Sequence, residues 1–215
     1  NNIKKYNEAG TEVHSWTYGS TGYGICNDGV YIYRSASGST TTIYRTKMSD
    51  QSESTIYTTG GSYNAPRANQ GSCFTYHKGY IYSRDEAGSS YVDKIRLSDM
   101  NCTRTNHSDF NLGGYSDGGF ATTATAGTNY LVEAGTSYWW YYNIDTDIVT
   151  RISAGTQSST EYGNGGTEIA PGVGLIFGEE TDRATIIDMN TKSMTTVQSN
   201  NPLHTYTTNY AYGNR

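Results

Sequence analysis

The sequence has little charge and little proline, and it contains no long apolar run. Charged residues make up 16% of the 215 residues, and the formal net charge is −5. No basic stripe is present, so nucleic acid is not an expected partner. No apolar run approaches the roughly 18 residues that a membrane-spanning helix needs, so a membrane span is not expected either.

Cysteine is also scarce, with only Cys26, Cys73 and Cys102 in the chain. Their number is odd and no C-x-x-C spacing occurs, so no metal site is indicated. One disulfide with one free thiol is an alternative to three buried thiols. We favour buried thiols, because an unpaired cysteine packs like a small apolar residue. The four histidines are scattered without ligand spacing, and we expect no metal and no cofactor.

The composition is instead dominated by small polar residues and tyrosine. The chain contains 25 Gly and 21 Tyr, with many Ser, Thr and Asn. Thr and Tyr favour half-buried pleated surfaces, whereas Gly, Asn and Ser favour the turns between strands. The composition therefore predicts many short strands.

A repeated pattern of strand, turn and strand organises the chain. It occurs at Gly29–Asp50, Gly79–Ser98, Asn129–Thr146 and Gly174–Thr191. Each copy has one last apolar residue before the polar turn at its end. These residues are Met48, Leu97, Ile144 and Met189, at intervals of 49, 47 and 45 residues. Regular spacing of this length is typical of radial or solenoid repeats.

Each repeat contains two further strands. The strand after the polar turn is predicted at Thr11–Trp16, Ser54–Thr58, Cys102–Asn106, Ile148–Ile152 and Met194–Gln198. A strand rich in small residues then leads into the next hairpin, at Tyr23–Asn27, Ser72–Tyr76, Phe120–Ala124, Thr167–Ala170 and Tyr210–Tyr212. Asn, Asp and Ser side chains are expected to bond to the backbone of the polar turns and to reverse the chain there.

Four antiparallel strands in about 47 residues match one blade of a β-propeller. We therefore predict an all-β fold, a β-propeller of four-stranded blades, as a single domain over residues 1–215. A solenoid and a pair of sandwiches are the alternatives, and the even repeat favours the propeller. The chain begins Asn-Asn-Ile without a signal peptide, so we expect a processed chain or a segment of a longer one.

The two ends of the chain suggest how the ring closes. Tyr6 lies 42 residues before Met48 and marks the third strand of a fifth blade. Thr208–Arg215 aligns with the first strand at Thr21–Asp28. We expect a five-bladed ring in which Asn2–Tyr6 shares a sheet with Tyr210–Tyr212, which removes the free edge. No second strand for that blade is recognised.

Two turn strings carry a resemblance to known repeats. Asn143–Ile152 and Ile186–Val197 look like the strand-turn-strand of Kelch-like and YVTN-like propeller blades. The Tyr-rich, Lys-poor composition also resembles propeller modules of phage tail and receptor-binding proteins and of bacterial surface adhesins. The resemblance implies the architecture, and it carries over no functional residue.

One tyrosine per repeat precedes the first strand, and these five are Tyr18, Tyr63, Tyr115, Tyr162 and Tyr206. In a propeller such positions gather around the axis at one end, where the rings could stack on sugars. Arg67, Asp117 and His204 would then supply hydrogen bonds to the ligand. The alternative is that each tyrosine is a wedge between blades, with its hydroxyl on a backbone carbonyl.

Catalysis is less well supported by the sequence. A glycosidase needs two carboxyl groups about 5–10 Å apart. The candidates Asp28, Asp117 and Glu168 do not occupy matching places, and we expect turn and solvated side chains instead. Asp145 and Asp147 are interpreted as turn residues rather than Ca²⁺ ligands. No catalytic residue is predicted, and whether the chain is an enzyme stays open.

Function is therefore expected to lie in binding or display. The favoured hypothesis is a non-enzymatic propeller, extracellular or on a virion surface, for attachment, carbohydrate recognition or structural display. Its partners would be a glycan or cell-surface receptor and other subunits of a virion or surface assembly. A glycosidase-like propeller enzyme and a purely architectural virion component are the alternatives. In the adjacent pair Trp139 and Trp140, side chains point to opposite faces, so at least one ring is expected in the core.

Overall fold

The computed structural model describes ten stretches of the chain. They are residues 2–7, 9–17, 22–36, 42–58, 74–84, 91–107, 120–134, 138–153, 163–178 and 183–198. Within these stretches the regular structure is entirely β-strand, and no helix that could cross a membrane occurs there. The fold is therefore all-β, as predicted.

The strands form one two-stranded sheet and four four-stranded sheets, all antiparallel. The two-stranded sheet pairs β1 (Asn2–Tyr6) with β2 (Glu12–Thr17). Blade 1 contains β3 (Gly22–Asn27), β4 (Tyr31–Ala36), β5 (Thr42–Lys47) and β6 (Glu53–Thr58). Blade 2 contains β7 (Phe74–His77), β8 (Tyr80–Arg84), β9 (Tyr91–Arg96) and β10 (Cys102–Asn106).

Blades 3 and 4 repeat this order. Blade 3 contains β11 (Phe120–Thr125), β12 (Thr128–Ala134), β13 (Tyr138–Asn143) and β14 (Ile148–Ser153). Blade 4 contains β15 (Gly163–Ala170), β16 (Val173–Gly178), β17 (Arg183–Asp188) and β18 (Ser193–Gln198). In every blade the strands pair in chain order, and the four sheets are arranged as a β-propeller.

The predicted strands agree closely with those observed. Each third strand ends one residue before Met48, Leu97, Ile144 or Met189, and the fourth strand of blade 2 is Cys102–Asn106 as predicted. Among the first strands, β15 begins at Gly163 rather than Thr167, and the predicted start of β7 at Ser72 lies outside the described residues. The predicted strand Tyr210–Tyr212 lies outside the described residues.

The first strands of successive blades are neighbours, in the order β3, β7, β11 and β15. They therefore line the centre of the arrangement, which is the most crowded position in a propeller. Small residues at this position, such as Ala121 and Gly166, allow the backbones to approach. This confirms the inner placement that their small side chains predicted.

The turns between the third and fourth strands share one backbone feature in all four blades. The fourth residue after each third strand has a positive φ, which is 61° at Gln51, 57° at Met100, 60° at Asp147 and 56° at Lys192. The Asn143 side chain accepts the amides of Asp145 and Thr146 at 3.0 and 3.2 Å. Asp50, Asp99 and Asp188 accept turn amides in the same way. The predicted side-chain to backbone bonds are thus confirmed.

The recurring apolar residue after each third strand ties two turns together. The amides of Met48, Leu97, Ile144 and Met189 donate to the carbonyls of Val30, Gly79, Asn129 and Gly172. Each bond links the turn after the third strand to the chain just before, or at the start of, the second strand. The fixed spacing of this residue in the sequence therefore reflects a fixed contact within each blade.

Three apolar clusters fill the seams between adjacent blades. At the seam of blades 1 and 2, Cys26, Tyr33 and Ile43 pack against Ile81 and Ile95. Ile43, Ile81 and Ile95 are 0% exposed. Since every cluster has members from two blades, no blade buries its core alone.

The two adjacent tryptophans of β13 fill different seams. Trp140 lies with Tyr82 and Leu131 between blades 2 and 3, and Trp139 lies with Ile176 between blades 3 and 4. Each ring is only 1% exposed. The prediction that at least one is core is confirmed, and the structure shows that both are.

A cation lies over a tyrosine ring at each seam. The guanidinium of Arg45 is 4.7 Å from the ring centre of Tyr31, and the Lys94 ammonium is 4.4 Å from that of Tyr80. The ammonium of Lys192, from blade 4, is 4.6 Å from the rings of Tyr130 and Tyr141 in blade 3. These tyrosines are half-buried, so their contacts with the cations add to the apolar packing of the seams.

Buried ion pairs accompany the apolar clusters. In blade 2, Arg104 donates two bonds of 2.7 Å to the carboxylate of Asp93, which is 0% exposed. In blade 1, Arg34, which is 2% exposed, pairs with Glu53 at 2.8 Å. Arg34 and Asp93 are the buried partners of these pairs, whereas the Glu53 side chain is 33% exposed. Loss of the partner of a buried charge is costly, because that charge loses the interaction that offsets its desolvation.

The cysteines within the described residues are free. Cys26 is buried and Cys102 is half-buried, while Cys73 lies outside the described residues. Burial, together with the charge of Asp28, raises the pKa of the Cys26 thiol well above its usual value. Cys26 therefore acts as a small core residue, as the sequence indicated.

We predict that Trp139→Ala and Trp140→Ala each lower the free energy of unfolding by about 3–5 kcal/mol, because each empties one seam. Tyr138→Ala is the matched control, since that ring is 39% exposed on the same strand. Urea unfolding followed by tyrosine fluorescence measures all three. A tryptophan variant no less stable than Tyr138→Ala would contradict the seam assignment.

We further predict that Asp93→Ala costs about 3–5 kcal/mol of stability, because the Arg104 guanidinium, only 14% exposed, loses both of its bonds to a fully buried carboxylate. Glu12→Ala is the control, because Glu12 pairs with Lys4 on the surface, where the two side chains are 40% and 46% exposed. This substitution should leave the unfolding midpoint unchanged. The same urea titration compares both. Equal midpoints for the two variants would show that the buried pair adds nothing.

Candidate functional site

The two ends of the propeller differ in how they are built. Because the strands alternate in direction, the turns from first to second strand and from third to fourth strand all lie at one end. We call this end the tight-turn face, and it comprises residues 28–30, 48–52, 78–79, 97–101, 126–127, 144–147, 171–172 and 189–192. At the other end the strands lead into residues 59–73, 108–119 and 154–162, which lie outside the described residues.

The sequence predicted a ligand site from eight residues. Tyr18, Tyr63, Arg67, Tyr115, Asp117, Tyr162, His204 and Tyr206 all lie outside the described residues. Each precedes a predicted first strand in the chain. Their assignment to a ligand site stays a prediction.

Two of the candidate catalytic carboxylates are within the described residues, and both serve the backbone. Asp28 accepts the amides of Val30 and Tyr31 at 2.8 and 2.7 Å, and the hydroxyl of Tyr33 at 2.7 Å. Glu168 accepts the amide of Gly172 at 2.9 Å. Asp28 is therefore a turn residue, as expected, whereas Glu168 was expected to be solvated and instead holds a turn.

The carboxylates of the predicted 144–147 turn are also engaged. Asp147 accepts the hydroxyl of Tyr142 at 2.6 Å, and Nε2 of His107 from blade 2 lies 3.6 Å from the same carboxylate. Asp145 accepts the backbone amide of Asn129 at 3.1 Å. Among the described residues no three His, Cys, Asp or Glu side chains come together as a metal site.

A polar cluster joins blades 2 and 3 at the tight-turn face. The ammonium of Lys78 donates to the side-chain oxygen of Asn129 at 3.2 Å, and the Asn129 amide nitrogen donates to both Asp145 oxygens at 3.3 and 3.4 Å. Lys78 of blade 2 and Asp145 of blade 3 thus converge on the buried Asn129. His77, the residue before Lys78, lies close enough for Asn129 and Asp145 to affect its pKa.

The protonation states follow from this geometry. Burial lowers the pKa of His77, with Lys78 acting in the same sense and Asn129, Asp145 and Glu168 opposing it. The backbone amide of Asn129 lowers the pKa of Asp145. At neutral pH the cluster therefore holds a neutral imidazole beside an ionised carboxylate, and it joins the blades electrostatically.

Sequence reasoning missed this cluster, since it treated the histidines as scattered. The available signal was position, because His77 and Lys78 immediately precede a turn glycine.

Close packing at the equivalent turn of blade 4 requires a glycine. Gly172 has a φ of 78°, and a Cβ there would collide with the side chains of Thr125 and Asn190, so only glycine fits.

Comparison with known proteins finds the fold and nothing narrower. No protein-family model and no curated protein matches the sequence. The WD40 repeats of RRP9 superpose with a TM-score of 0.59 at 7% identity, covering 85% of this chain and 52% of that one.

Two lyase structures are similar to the same degree. A streptogramin B lyase gives a TM-score of 0.58 at 12% identity, covering 84% of this chain and 55% of that one. The virginiamycin B lyase from Staphylococcus aureus gives 0.58 at 13% identity, covering 93% and 64%. This chain thus spans about half to two thirds of the length of each. Such low identities show the β-propeller fold alone.

We predict that the stability of the protein falls as the pH is lowered from about 7 to 5, partly through His77. Its pKa in the folded state lies below the unfolded value of about 6.5, so the unfolded chain binds the proton first and stability is lost on acidification. Thermal unfolding of wild type and His77→Asn at pH 7.5 and 5.0 measures this. Between pH 7.5 and 5.0 the melting temperature of the variant should fall less than that of wild type. An equal fall in both proteins would exclude His77 as a cause.

Proposed function

We propose that this chain is a non-enzymatic binding propeller, a single domain over residues 1–215, which recognises carbohydrate on a cell-surface receptor. We further propose that it acts outside a cell or on a virion surface. The observation that carries the proposal is the difference between the two ends of the propeller. The tight-turn face uses its polar side chains to hold its own backbone, which leaves the other end as the place for a ligand.

Connection lengths support this assignment. At the tight-turn face the strands are joined by two to five residues, whereas 15 residues (59–73) separate β6 from β7 and 13 (107–119) separate β10 from β11. Long connections in a compact domain are usually functional or disordered, and binding residues concentrate on them. Four of the eight candidate residues, Tyr63, Arg67, Tyr115 and Asp117, occur in these two connections.

The chemistry of those residues suits a sugar. Tyrosine presents a flat apolar face and a hydroxyl at low entropic cost. Arg67, Asp117 and His204 provide donors and acceptors for sugar hydroxyls. A glycan in this position would contact several blades at once, so weak contacts would add.

Binding is favoured over hydrolysis by the described carboxylates. Hydrolysis requires one carboxyl group to donate a proton and another to act as nucleophile or base. Asp28 and Glu168 instead accept backbone amides in turns, with Asp28 also accepting a tyrosine hydroxyl. Neither is left available for a proton transfer to substrate.

We predict that Tyr63→Ala and Tyr162→Ala weaken glycan binding about 5-fold each, the loss of about 1 kcal/mol from one stacking ring, with melting temperature unchanged. Tyr44→Ala is the control, because Tyr44 lies within β5 with the Arg34 guanidinium 4.1 Å from its ring centre. This control should reduce melting temperature. A glycan array followed by titration of the best ligand measures affinity, and thermal unfolding measures stability.

Two results would contradict the proposal. If Tyr63→Ala and Tyr162→Ala destabilise the fold as much as Tyr44→Ala does, the tyrosines are wedges between blades. If the protein releases reducing sugar from a bound glycan, and Glu168→Gln abolishes the release, it is a glycosidase.

A further inference from the structure

The residue with positive φ in each turn from third to fourth strand lies at a seam. A positive φ is unfavourable for every residue other than glycine. In the four complete blades, however, the position is occupied by other residues, and these are Gln51, Met100, Asp147 and Lys192. This indicates that the side chain at the position is needed.

Blades 1 and 2 show what two of these side chains contact. In blade 1, Gln51 bonds to His14 of β2, in the sheet that precedes the blade. In blade 2, Met100 packs against the apolar cluster at the seam with blade 1. Both side chains therefore contact the part of the fold that comes before their own blade.

Blades 3 and 4 repeat this direction with charged side chains. The carboxylate of Asp147 lies 3.6 Å from Nε2 of His107 in blade 2. The ammonium of Lys192 lies 4.6 Å from the ring centres of Tyr130 and Tyr141 in blade 3. The position is thus used in the same way in each blade, but the chemistry of the contact is different every time.

The turn between β1 and β2 provides a contrast. Its residue with positive φ is Gly10, at 76°. Among the described residues outside its immediate chain neighbours, no atom lies within 4 Å of the place that a Cβ of Gly10 would take. Glycine therefore occurs at the turn where a side chain has nothing close to contact.

One tyrosine position on each of blades 1 to 3 explains which side chain is used. It lies at the seam with the next blade, opposite the last residue of the third strand, and it is Tyr31, Tyr80 and Tyr130. The residues two places before the end of the third strands are Arg45, Lys94 and Tyr141. Blades 1 and 2 thus carry a cation at this third-strand position, whereas blade 3 carries an aromatic ring.

Blade 4 supplies the cation that blade 3 lacks. In blades 1 and 2 the third-strand cation lies over the tyrosine of its own blade. In blade 3 the cation over Tyr130 is Lys192, which belongs to blade 4. Where the preceding blade has its own cation, the turn residue is not basic, since Met100 follows blade 1 and Asp147 follows blade 2. The turn residue therefore complements the third-strand residue of the preceding blade at the three seams.

We propose that these two positions together determine which blade packs on which. A second cation beside a third-strand cation is repelled, and a tyrosine without any cation loses a favourable contact. Either fault would follow if blades were exchanged. Repeat proteins characteristically fail by misassembly of similar units, and specificity requires that wrong pairings be penalised. A contact that differs at every seam favours the correct order of the blades.

One substitution in two backgrounds tests the proposal. In the wild-type chain Lys192→Met removes the cation over Tyr130 and should lower the melting temperature by about 3 °C. In a Tyr141→Lys background, blade 3 has its own cation and Lys192 becomes a second one beside it. There Lys192→Met should raise the melting temperature by a similar amount. Lys192→Arg is the control, because it keeps the charge and should leave the wild-type melting temperature unchanged.

The mirror experiment at the seam of blades 1 and 2 decides if Tyr141→Lys does not fold. Met100→Lys should lower the melting temperature of the wild-type chain, because it adds a cation beside Arg45. In an Arg45→Tyr background the same substitution should raise it, because the cation over Tyr31 is restored. A shift of the same sign in both backgrounds, or no shift in either, would overturn the proposal.

Hydrogen exchange locates the effect of Lys192→Met. Exchange should become about 5-fold faster at amides of β12 and β13, across the seam, while β4 and β5 stay unchanged. Faster exchange confined to residues 189–192 would mean that Lys192 acts only on its own turn, and this result would also overturn the proposal. Neither measurement involves a glycan, so the outcome leaves the proposed function untouched.

Discussion

The fold depends on burial between blades rather than within them. In blades 2 and 3 the second and third strands present apolar side chains to both neighbouring blades, and each of the three seams is filled from two sides. Trp139 and Trp140 show this most clearly, since adjacent residues of one strand fill different seams. A single four-stranded sheet of this chain would leave both of its faces in water, so stability requires several blades in contact.

Polar groups set the position of those seams. The Asp93–Arg104 and Arg34–Glu53 pairs lie within the blades, and each has one fully or almost fully buried partner, Asp93 and Arg34. The cluster around Asn129 links blades 2 and 3 at the tight-turn face. Such interactions are weak evidence for net stability, but they penalise any packing that leaves a charge unpaired. The apolar seams favour contact, and the buried charges restrict which contact forms.

The same polar groups also limit what the tight-turn face can bind. At the tight-turn face short connections, left-handed turn residues and side-chain acceptors such as Asn143 and Asp28 are all used to reverse the chain. Little chemistry is left there for a ligand. We therefore proposed the other end for ligand binding, since binding residues usually lie on loops that a rigid scaffold positions.

Much of the architecture followed from local sequence. The period of the apolar residue at Met48, Leu97, Ile144 and Met189 reflects one backbone bond per blade, and such a local contact leaves a regular trace in the chain. The first strands were placed less exactly, because small residues carry weak strand propensity and their inner position is a property of the ring. The ligand residues were named from the repeat of one tyrosine per blade, and they stay predictions.

The sequence by itself determined the all-β class, the blade repeat and the turns, because alternation and turn chemistry act over a few residues. Only the tertiary structure decided which residues of different blades meet. The pairing of Lys78 with Asn129, the cation of Lys192 over Tyr130 and the burial of both tryptophans connect positions far apart in the chain. No local pattern records such distances, because the contacts arise only when complete sheets pack against each other.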